Sequence, residues 1–230
     1  MYDQSLLSDI LEWDIQTWKR ALVLWDRHIG GLAGKRVLDL GARHGGLSLY
    51  FAMKGASVVC SDLHNPSPTA MELHRRRGVA DRVSYARIDA TAIDCPDGSF
   101  DVVGFKSLLG GVAYGAGYDR QQRAVREMHR VLKPGGVLLF AENMTGSPLH
   151  RWLRRKFVRW GREWRYPTPA EIDELLSFFG ERELVYAGFL STLGRSETQR
   201  SLLHMADVVI DPAIPAHWRY LVCAYARKAI

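Results

Sequence analysis

Short apolar runs alternate with amphipathic segments along the first part of the chain. The runs are bounded by glycine or polar residues and occupy 36–40, 57–62, 82–89, 100–106 and 136–143. Between them, apolar residues recur at helical spacing in segments 45–54, 67–78 and 119–133. Strands buried on both faces read as continuous hydrophobic runs, and parallel neighbours need a crossover that is usually a helix. The pattern predicts an α/β fold with a doubly wound, mostly parallel sheet.

Both ends of the chain predict additions to this sheet. Helical periodicity over residues 5–29 predicts an N-terminal helical extension. The capping-box pattern TPAE (168–171) predicts a helix start, and SETQ (196–199) predicts another. Two further strands are expected, at 183–187 and 218–226. The helix that follows SETQ is therefore an insertion before the last strand.

Composition narrows the class of protein without selecting a function. Hydrophobic residues make up 47% of the 230 positions and charged residues 24%, as in an ordinary globular protein. No apolar run approaches the roughly 18–20 residues needed to cross a bilayer, and the first residues do not form a secretory signal, so we expect a cytoplasmic protein. The three cysteines lie far apart, which predicts neither a disulfide framework nor a metal site. A net charge of +6 is compatible with an anionic partner.

The first strand-to-helix turn, VLDLGARHGG, is the strongest candidate for a ligand site. Ligands of open parallel sheets bind beyond the carboxyl ends of the strands, where this turn lies. The turn has the pattern D-x-G-x-x-x-G, formed by Asp39, Gly41 and Gly45. A dinucleotide site needs G-x-G-x-x-G, so Ala42 after Gly41 argues against a NAD-dependent oxidoreductase. Asp39 can accept hydrogen bonds from a ligand ammonium group, and Arg43 can contact a carboxylate.

The ends of the next two strands offer partners for a nucleoside. Asp62 follows Gly41 by about 20 residues, the spacing at which a carboxylate binds ribose hydroxyls, and Leu63 comes directly after it. Asp89 can accept from an adenine amino group, while the backbone N–H of Ala90 can meet a ring nitrogen, with Thr91 beside them. Ammonium, ribose and adenine groups therefore each have a predicted partner.

Five motifs in order resemble the class I S-adenosylmethionine-dependent methyltransferases. They are VLDLGARHGG, VVCSDL, IDAT, FDVVGFKS and VLKPGGVLLFAEN, which together cover about residues 36–143. The resemblance implies S-adenosylmethionine as the cofactor, S-adenosylhomocysteine as the product, and no metal. It also implies a seven-stranded Rossmann-like sheet whose last strand is antiparallel. Asp39 and Gly41 would then contact the methionyl part, Asp62 the ribose, and Asp89 with Ala90 the adenine.

This resemblance divides a single methyltransferase domain, residues 1–230, into three parts. An N-terminal helical cap covers 1–34, the cofactor-binding core covers 35–143, and acceptor-side helices and final strands cover 144–230. Trp18 in the cap is a candidate to close the cofactor site, as is Trp25. Core packing explains these aromatic residues equally well.

The acceptor is expected over the ends of the fourth and fifth strands. Lys106 and Ser107 end the fourth strand, and Glu142 and Asn143 end the fifth. Lys106, Glu142 and His150 are the catalytic candidates, with His150 the first to test as a general base. Ser107 and Asn143 are candidates to bind the acceptor. Alternatively, Lys106 contacts the cofactor, Glu142 caps the next helix, and His150 has a capping or surface role.

The basic segment 149–162 leaves three interpretations open. Its arginines are solvated on a lid helix whose apolar face packs on the core, or they recognise phosphate on the acceptor, or they contact an anionic membrane surface. Arg154 here, and Arg195 after the sixth strand, are substrate-binding candidates. Nucleic acid is a weaker option, because no RNA-binding module or stacking motif accompanies the arginines.

Three further stretches resemble bacterial methyltransferases of the surface-polysaccharide type. They are FKSLLGG, AENMTGSPLHRWLRRKF and LGRSETQR. This resemblance implies a sugar hydroxyl as the acceptor. If the arginines of segment 149–162 recognise phosphate, the acceptor is a phosphate-bearing or lipid-linked saccharide. We therefore expect methyl transfer to the hydroxyl oxygen of a small molecule or glycan. A catalytically silent cofactor-binding module and, less favoured, an oxidoreductase remain the alternatives, and the sequence predicts no oligomeric state.

Overall fold

The apolar runs of the sequence form the strands of a single sheet. The computed structural model describes residues 2–65, 67–158 and 163–230. Its strands are β1 Arg36–Leu40, β2 Ser57–Asp62, β3 Val83–Arg87, β4 Phe100–Lys106, β5 Leu132–Asn143, β6 Arg182–Ala187 and β7 Leu221–Arg227. They are ordered β3-β2-β1-β4-β5-β7-β6, and only β7 runs antiparallel to its neighbours. The predicted seven-stranded sheet with an antiparallel last strand is confirmed.

The helices cover both faces of this sheet. They are α1 Gln4–Leu11, α2 Ile15–His28, α3 Gly46–Met53, α4 Pro68–Arg76, α5 Leu109–Val112, α6 Tyr118–Val131, α7 Pro148–Phe157, α8 Pro169–Leu175 and α9 Glu197–Ile210. One apolar core joins α1 to α4 to the sheet, and the other joins α6 and α8 to the opposite face. The strand order changes direction between β1 and β4, which opens a crevice at their carboxyl ends.

The predicted N-terminal helix is divided into α1 and α2. Glu12 and Asp14 have positive φ angles of 70° and 48°, which end one helix and redirect the chain into the next. The carboxylate of Glu197 accepts the backbone N–H groups of Asp14 and Ile15, at 2.8 and 3.2 Å. This cap comes from α9, far along the chain, so helical periodicity could not reveal the break.

Helix α7 does not bury the apolar face that its sequence pattern predicts. Leu149 and Trp152 are each 46% exposed and Phe157 is 68% exposed, whereas His150 is the buried residue of the helix. The helix ends at Phe157, and the predicted members Arg159, Trp160 and Arg162 lie outside the described residues. The interpretation that α7 packs its whole apolar face on the core is therefore corrected. Within the described parts of the chain, no helix is long and apolar enough to cross a membrane.

Candidate functional site

A cavity of about 930 Å³ lies at the crevice between the carboxyl ends of β1 and β4. The sequence-predicted residues that line it are Asp39, Gly41, Arg43, Lys106, Ser107, Asn143, His150, Arg154 and Arg195. Those that do not line it are Trp18, Gly45, Asp62, Leu63, Asp89, Ala90, Thr91 and Glu142. The cavity thus joins the first turn of the sheet to the ends of β4 and β5 and to the acceptor-side segments.

The turn after β1 is shaped by residues in the left-handed conformation. Gly41 has a φ of 66°, and a Cβ at this position would lie 2.7 Å from the side chain of Leu108. Gly45 has a φ of 81°, and a Cβ there would lie 2.7 Å from the ring of His74, whose Nε2 bonds the Gly45 carbonyl at 2.9 Å. Gly41 therefore borders the cavity, whereas Gly45 allows α4 to pack against the turn.

Asp39 presents an unused acceptor beside this turn. Its side chain is 1% exposed, and Oδ2 accepts a hydrogen bond of 2.6 Å from Ser48. The buried Oδ1 has no partner among the described residues. Burial raises the pKa of Asp39 to about 7, although the Ser48 hydrogen bonds and the charge of Lys106 oppose this shift. A cationic ligand group would satisfy both the open oxygen and the buried charge.

The two predicted nucleoside-binding carboxylates lie along the same edge of the sheet. Asp62 accepts the backbone N–H groups of Arg43 and His64, at 3.1 and 3.4 Å, so it is tied directly to the β1 turn. Asp89 accepts both the N–H and the hydroxyl of Thr91 at 2.8 Å. Burial raises the pKa of Asp89, but these hydrogen bonds and the charges of Arg120 and Arg123 lower it, and the net shift is downward. Asp62 is the last residue of β2, and Asp89 follows shortly after the end of β3.

The remaining nucleoside-side residues differ in exposure. Ala90 and Thr91 are 6% and 7% exposed, whereas Leu63 is 49% exposed.

The link between α1 and α2 contributes residues that sequence reasoning missed. Trp13 and Glu12 line the cavity, and the Glu12 carboxylate lies 3.6 Å from Arg43 and 3.8 Å from Lys106. Lys106 also donates to the Leu11 carbonyl at 2.6 Å, and burial lowers its pKa to about 8. Two acidic residues close together, Glu12 and Asp14, interrupt the helical pattern, and they were the sequence feature that could have predicted the break between α1 and α2.

Trp18 lies behind the cavity rather than over it. It is fully buried, with its ring 5.1 Å from Trp13 and 5.6 Å from the Lys106 ammonium. Trp25 is also buried, and its Nε1 donates to the Ala224 carbonyl at 3.0 Å. The predicted role of these tryptophans in closing the cofactor site is therefore corrected. Both support the N-terminal helices, and Trp13 is the tryptophan of this region that lines the cavity.

Glu142 is fully buried and holds the backbone of the turn that follows β4. Its carboxylate accepts N–H groups from Leu108 at 2.7 Å, Leu109 at 2.6 Å and Asn143 at 2.9 Å. Burial raises its pKa to about 7, while these hydrogen bonds counteract the shift. Because every bond is directed at backbone and the side chain does not line the cavity, the geometry corrects the catalytic prediction in favour of a capping role.

His150 also has a structural set of partners. Its Nε2 meets the Phe189 carbonyl at 2.8 Å and must carry the proton, so Nδ1 accepts the Ser147 N–H at 3.1 Å. This forms a capping box at the start of α7. Burial lowers the pKa of His150. Both ring nitrogens are therefore engaged, which argues against the predicted role of His150 as a general base.

Ser107 and Asn143 lie side by side at the ends of β4 and β5. The Asn143 amide donates to the Ser107 hydroxyl at 2.8 Å. Ser107 has a φ of 53°, an unfavourable conformation for serine that holds its side chain at the cavity edge. The pair can present a hydroxyl and an amide oxygen to a bound molecule.

Basic and aromatic side chains form the rest of the wall. Arg154 donates to the carbonyls of Met144 and Thr145, and its guanidinium lies 4.0 Å above the ring of Tyr166. Arg195 is exposed at the rim, without a side-chain hydrogen bond or ion pair among the described residues. The aromatic members are Trp13, Phe157, Trp164 and Tyr166. Sequence reasoning singled out neither Trp164 nor Tyr166, which follow α7 in a segment without periodicity.

Metal ligands are not gathered at this cavity. Within residues 2–65, 67–158 and 163–230, no cluster of three or more His, Cys, Asp or Glu side chains is placed to hold a metal ion.

A family model described as "Methyltransferase domain" matches residues 38–140. Among curated proteins, the chain is 32% identical over 143 residues to a ubiquinone/menaquinone biosynthesis C-methyltransferase UbiE from Pectobacterium carotovorum, covering 60% of this chain and 53% of that protein. It is 36% identical over 131 residues to a demethylmenaquinone methyltransferase from Clavibacter sepedonicus, covering 56% and 49%. The chain thus spans about half the length of these relatives.

Solved structures with the same fold include enzymes of different chemistry. A phosphoethanolamine N-methyltransferase from Haemonchus contortus, in complex with S-adenosylhomocysteine, matches with a TM-score of 0.65 at 20% identity, over 93% of this chain and 53% of that one. The [4+2]-cyclase SpnF matches with a TM-score of 0.62 at 23% identity, over 92% and 81%. These similarities establish the fold.

Proposed function

We propose that the chain is a class I methyltransferase that transfers the methyl group of S-adenosylmethionine to a small-molecule acceptor in the cavity. The match of residues 38–140 to the methyltransferase-domain model and the shared fold support this proposal. The observation that carries this proposal is the unpartnered, buried Oδ1 of Asp39 beside the Gly41 turn. A buried acceptor without a donor is costly, and the ammonium group of the methionyl part would remove that cost.

The described residues fit the cofactor along the strand ends. Asp39 and Gly41 would hold the methionyl part, Arg43 its carboxylate, Asp62 the ribose, and Asp89 with the Ala90 backbone the adenine. The fit requires Glu12 to share Arg43 and Lys106 with the ligand, because its carboxylate already lies within 4 Å of both cations. Trp13 would cover the methionyl side.

When bound, the cofactor supplies a methyl group that is already activated by the adjacent sulfonium. The protein's task is then to hold the acceptor in line with that methyl group and to exclude water, an effect worth up to roughly 7–11 kcal/mol. Ser107 and Asn143 border the cavity where the ends of β4 and β5 meet, and they would orient the reacting part of the acceptor. Neither Glu142 nor His150 is needed as a base in this scheme.

The chemical class of the acceptor is a separate part of this proposal. A saccharide hydroxyl, as the sequence resemblance implies, would need several hydrogen-bonding side chains. The outer wall instead combines the aromatic side chains of Phe157, Trp164 and Tyr166 with leucine side chains and the guanidinium of Arg154. Contact of α7 with an anionic membrane also stays a prediction, favoured by exposed Trp152 and Phe157 beside exposed Arg151, Arg155 and Lys156.

The proposal is tested by incubating the protein with methyl-labelled S-adenosylmethionine and fractionated small-molecule extracts. We expect label in at least one fraction and stoichiometric S-adenosylhomocysteine. The Asp39→Asn variant should transfer less label when the cofactor concentration is below saturation. If the protein binds the cofactor but labels no fraction, a silent binding module is favoured instead, consistent with the fact that fold does not imply function.

A further inference from the structure

The acceptor side of the cavity has an apolar, aromatic wall. Phe157, Trp164 and Tyr166 line it together with Leu153 and Leu193. The polar pair Ser107 and Asn143 is already joined by its own hydrogen bond. Flat aromatic groups bind well between such side chains, because ring contacts and burial both contribute to their affinity.

The cations that line the cavity fall into two groups. Arg43 and Lys106 share the Glu12 carboxylate, and Arg200 pairs with Glu197 at 2.6 Å. Arg154 and Arg195 have no carboxylate within ion-pair distance among the described residues. Arg195 is exposed to solvent at the rim, so among the described residues of the wall Arg154 is the cation that lies within it without a carboxylate partner.

Arg154 is also held in a fixed orientation. Its Nη1 donates to two main-chain carbonyls, and Tyr166 stacks against the guanidinium plane at 4.0 Å. Burial lowers its pKa, while the nearby Glu142 carboxylate opposes that shift. The Glu142 carboxylate is occupied by three backbone N–H groups. The remaining guanidinium N–H groups of Arg154 are therefore available to an anion in the cavity.

We propose that Arg154 binds an anionic oxygen of a planar, largely apolar acceptor whose ring lies among Phe157, Trp164 and Tyr166. This inference rests on the proposed function, because it assigns the substrate class of the same cavity. It replaces a saccharide acceptor with an aromatic acid or acidic hydroxyl compound. The contact both orients the acceptor and stabilises its anionic form.

The test compares two naphthalene probes of the same ring size by calorimetric titration, with and without S-adenosylhomocysteine. We expect 2-naphthoate to bind at least tenfold more tightly than the neutral 2-naphthylmethanol. Arg154→Met should abolish this preference without changing the affinity for S-adenosylhomocysteine. Arg155→Met is the matched control, since this exposed arginine is adjacent in α7 and does not line the cavity; it should retain the full preference.

The probe comparison uses the wild-type protein, so it stands even if Arg154→Met fails to fold, and Arg154→Lys, which keeps the charge, should retain part of the preference. Equal binding of the two probes, or an unchanged preference in folded Arg154→Met, would overturn the inference. Tighter binding of glucose 1-phosphate than of 2-naphthoate would also overturn it. Failure of S-adenosylhomocysteine to bind would count against the proposed function, while the probe titrations without it still decide the acceptor class.

Discussion

Asp39 and Glu142 are two buried carboxylates with the same raised pKa of about 7 and different hydrogen-bond partners. Glu142 accepts three backbone N–H groups, whereas Asp39 leaves Oδ1 open beside the cavity. Burial and pKa are alike in the two residues, so their hydrogen-bond partners distinguish them. Glu142 supports the fold, and Asp39 has an oxygen that we propose binds a ligand. Both were predicted from their sequence positions, because each lies one residue before the end of a strand next to the crevice.

Asp39→Asn should weaken cofactor binding by about 1.5–3 kcal/mol, the value of a hydrogen bond to a charged group. The asparagine oxygen can still accept from Ser48, which turns the amide NH₂ toward the cofactor ammonium. Isothermal titration with S-adenosylhomocysteine measures the change.

Glu142→Gln is the matched control. It should lower the free energy of unfolding, because one backbone N–H loses its acceptor, and it should leave the affinity for S-adenosylhomocysteine within about twofold of the wild-type value. Equal affinities in wild type and Asp39→Asn would remove Asp39 from the site.

His150→Ala and Ser147→Ala should behave alike, because they remove the two halves of one helix cap. We expect each to lower the free energy of unfolding by about 1–2 kcal/mol in chemical denaturation. The shape of the pH–rate profile for methyl transfer should not change in either variant. Loss of the acid limb in His150→Ala alone would restore His150 as a general base.

At the scale of elements, the α1–α2 link is fixed by contacts from the last part of the chain. Glu197 caps the start of α2, and the buried Asp14 carboxylate accepts the hydroxyl of Tyr220. These contacts hold Trp13 and Glu12 at the cavity. Loosening the link should therefore affect both stability and cofactor binding.

The buried Asp14 carboxyl should make the free energy of unfolding depend on pH. Burial raises its pKa to about 7, although the Tyr220 and Thr17 hydrogen bonds and Arg200 act in the opposite direction. The folded protein then binds more protons than the unfolded chain between about pH 4 and pH 7, so this group makes folding less favourable as pH rises through that window. Asp14→Asn cannot titrate and tolerates the left-handed conformation.

The stability of Asp14→Asn relative to wild type should therefore increase from about pH 4 to about pH 7 and stay constant outside that range. Urea unfolding of both proteins at a series of pH values measures this difference. A difference that does not vary with pH would show that Asp14 ionises normally in the folded state.

Helix starts and helix faces differ in how well sequence predicts them. The capping box at Thr168 and Glu171 is present as the sequence predicts, because all of its partners lie within four residues. The apolar face of α7 was expected on the core, but Leu149, Trp152 and Phe157 remain exposed. Periodicity shows which residues share a face, whereas cover for that face depends on elements elsewhere in the fold.

At the scale of the whole molecule, the sheet could be predicted from local patterns. Hydrophobic runs predicted the central strands, and the turn signature predicted which end of the crevice we propose for the cofactor. The acceptor side could not be predicted in the same way. Its wall combines the α1–α2 link, α7, and residues 164–166 and 192–195. Their proximity depends on packing between segments far apart in sequence, which no local spacing encodes.

The central claim, that the crevice is an S-adenosylmethionine site, is tested most directly by titrating the wild-type protein with S-adenosylmethionine and, separately, with NAD. We predict saturable binding of one equivalent of S-adenosylmethionine and an increase in melting temperature that grows with its concentration, since a ligand that binds only the folded state stabilises it. NAD should produce neither effect. A folded protein that shows no binding of S-adenosylmethionine at millimolar concentration, or that binds NAD more tightly, would contradict the account.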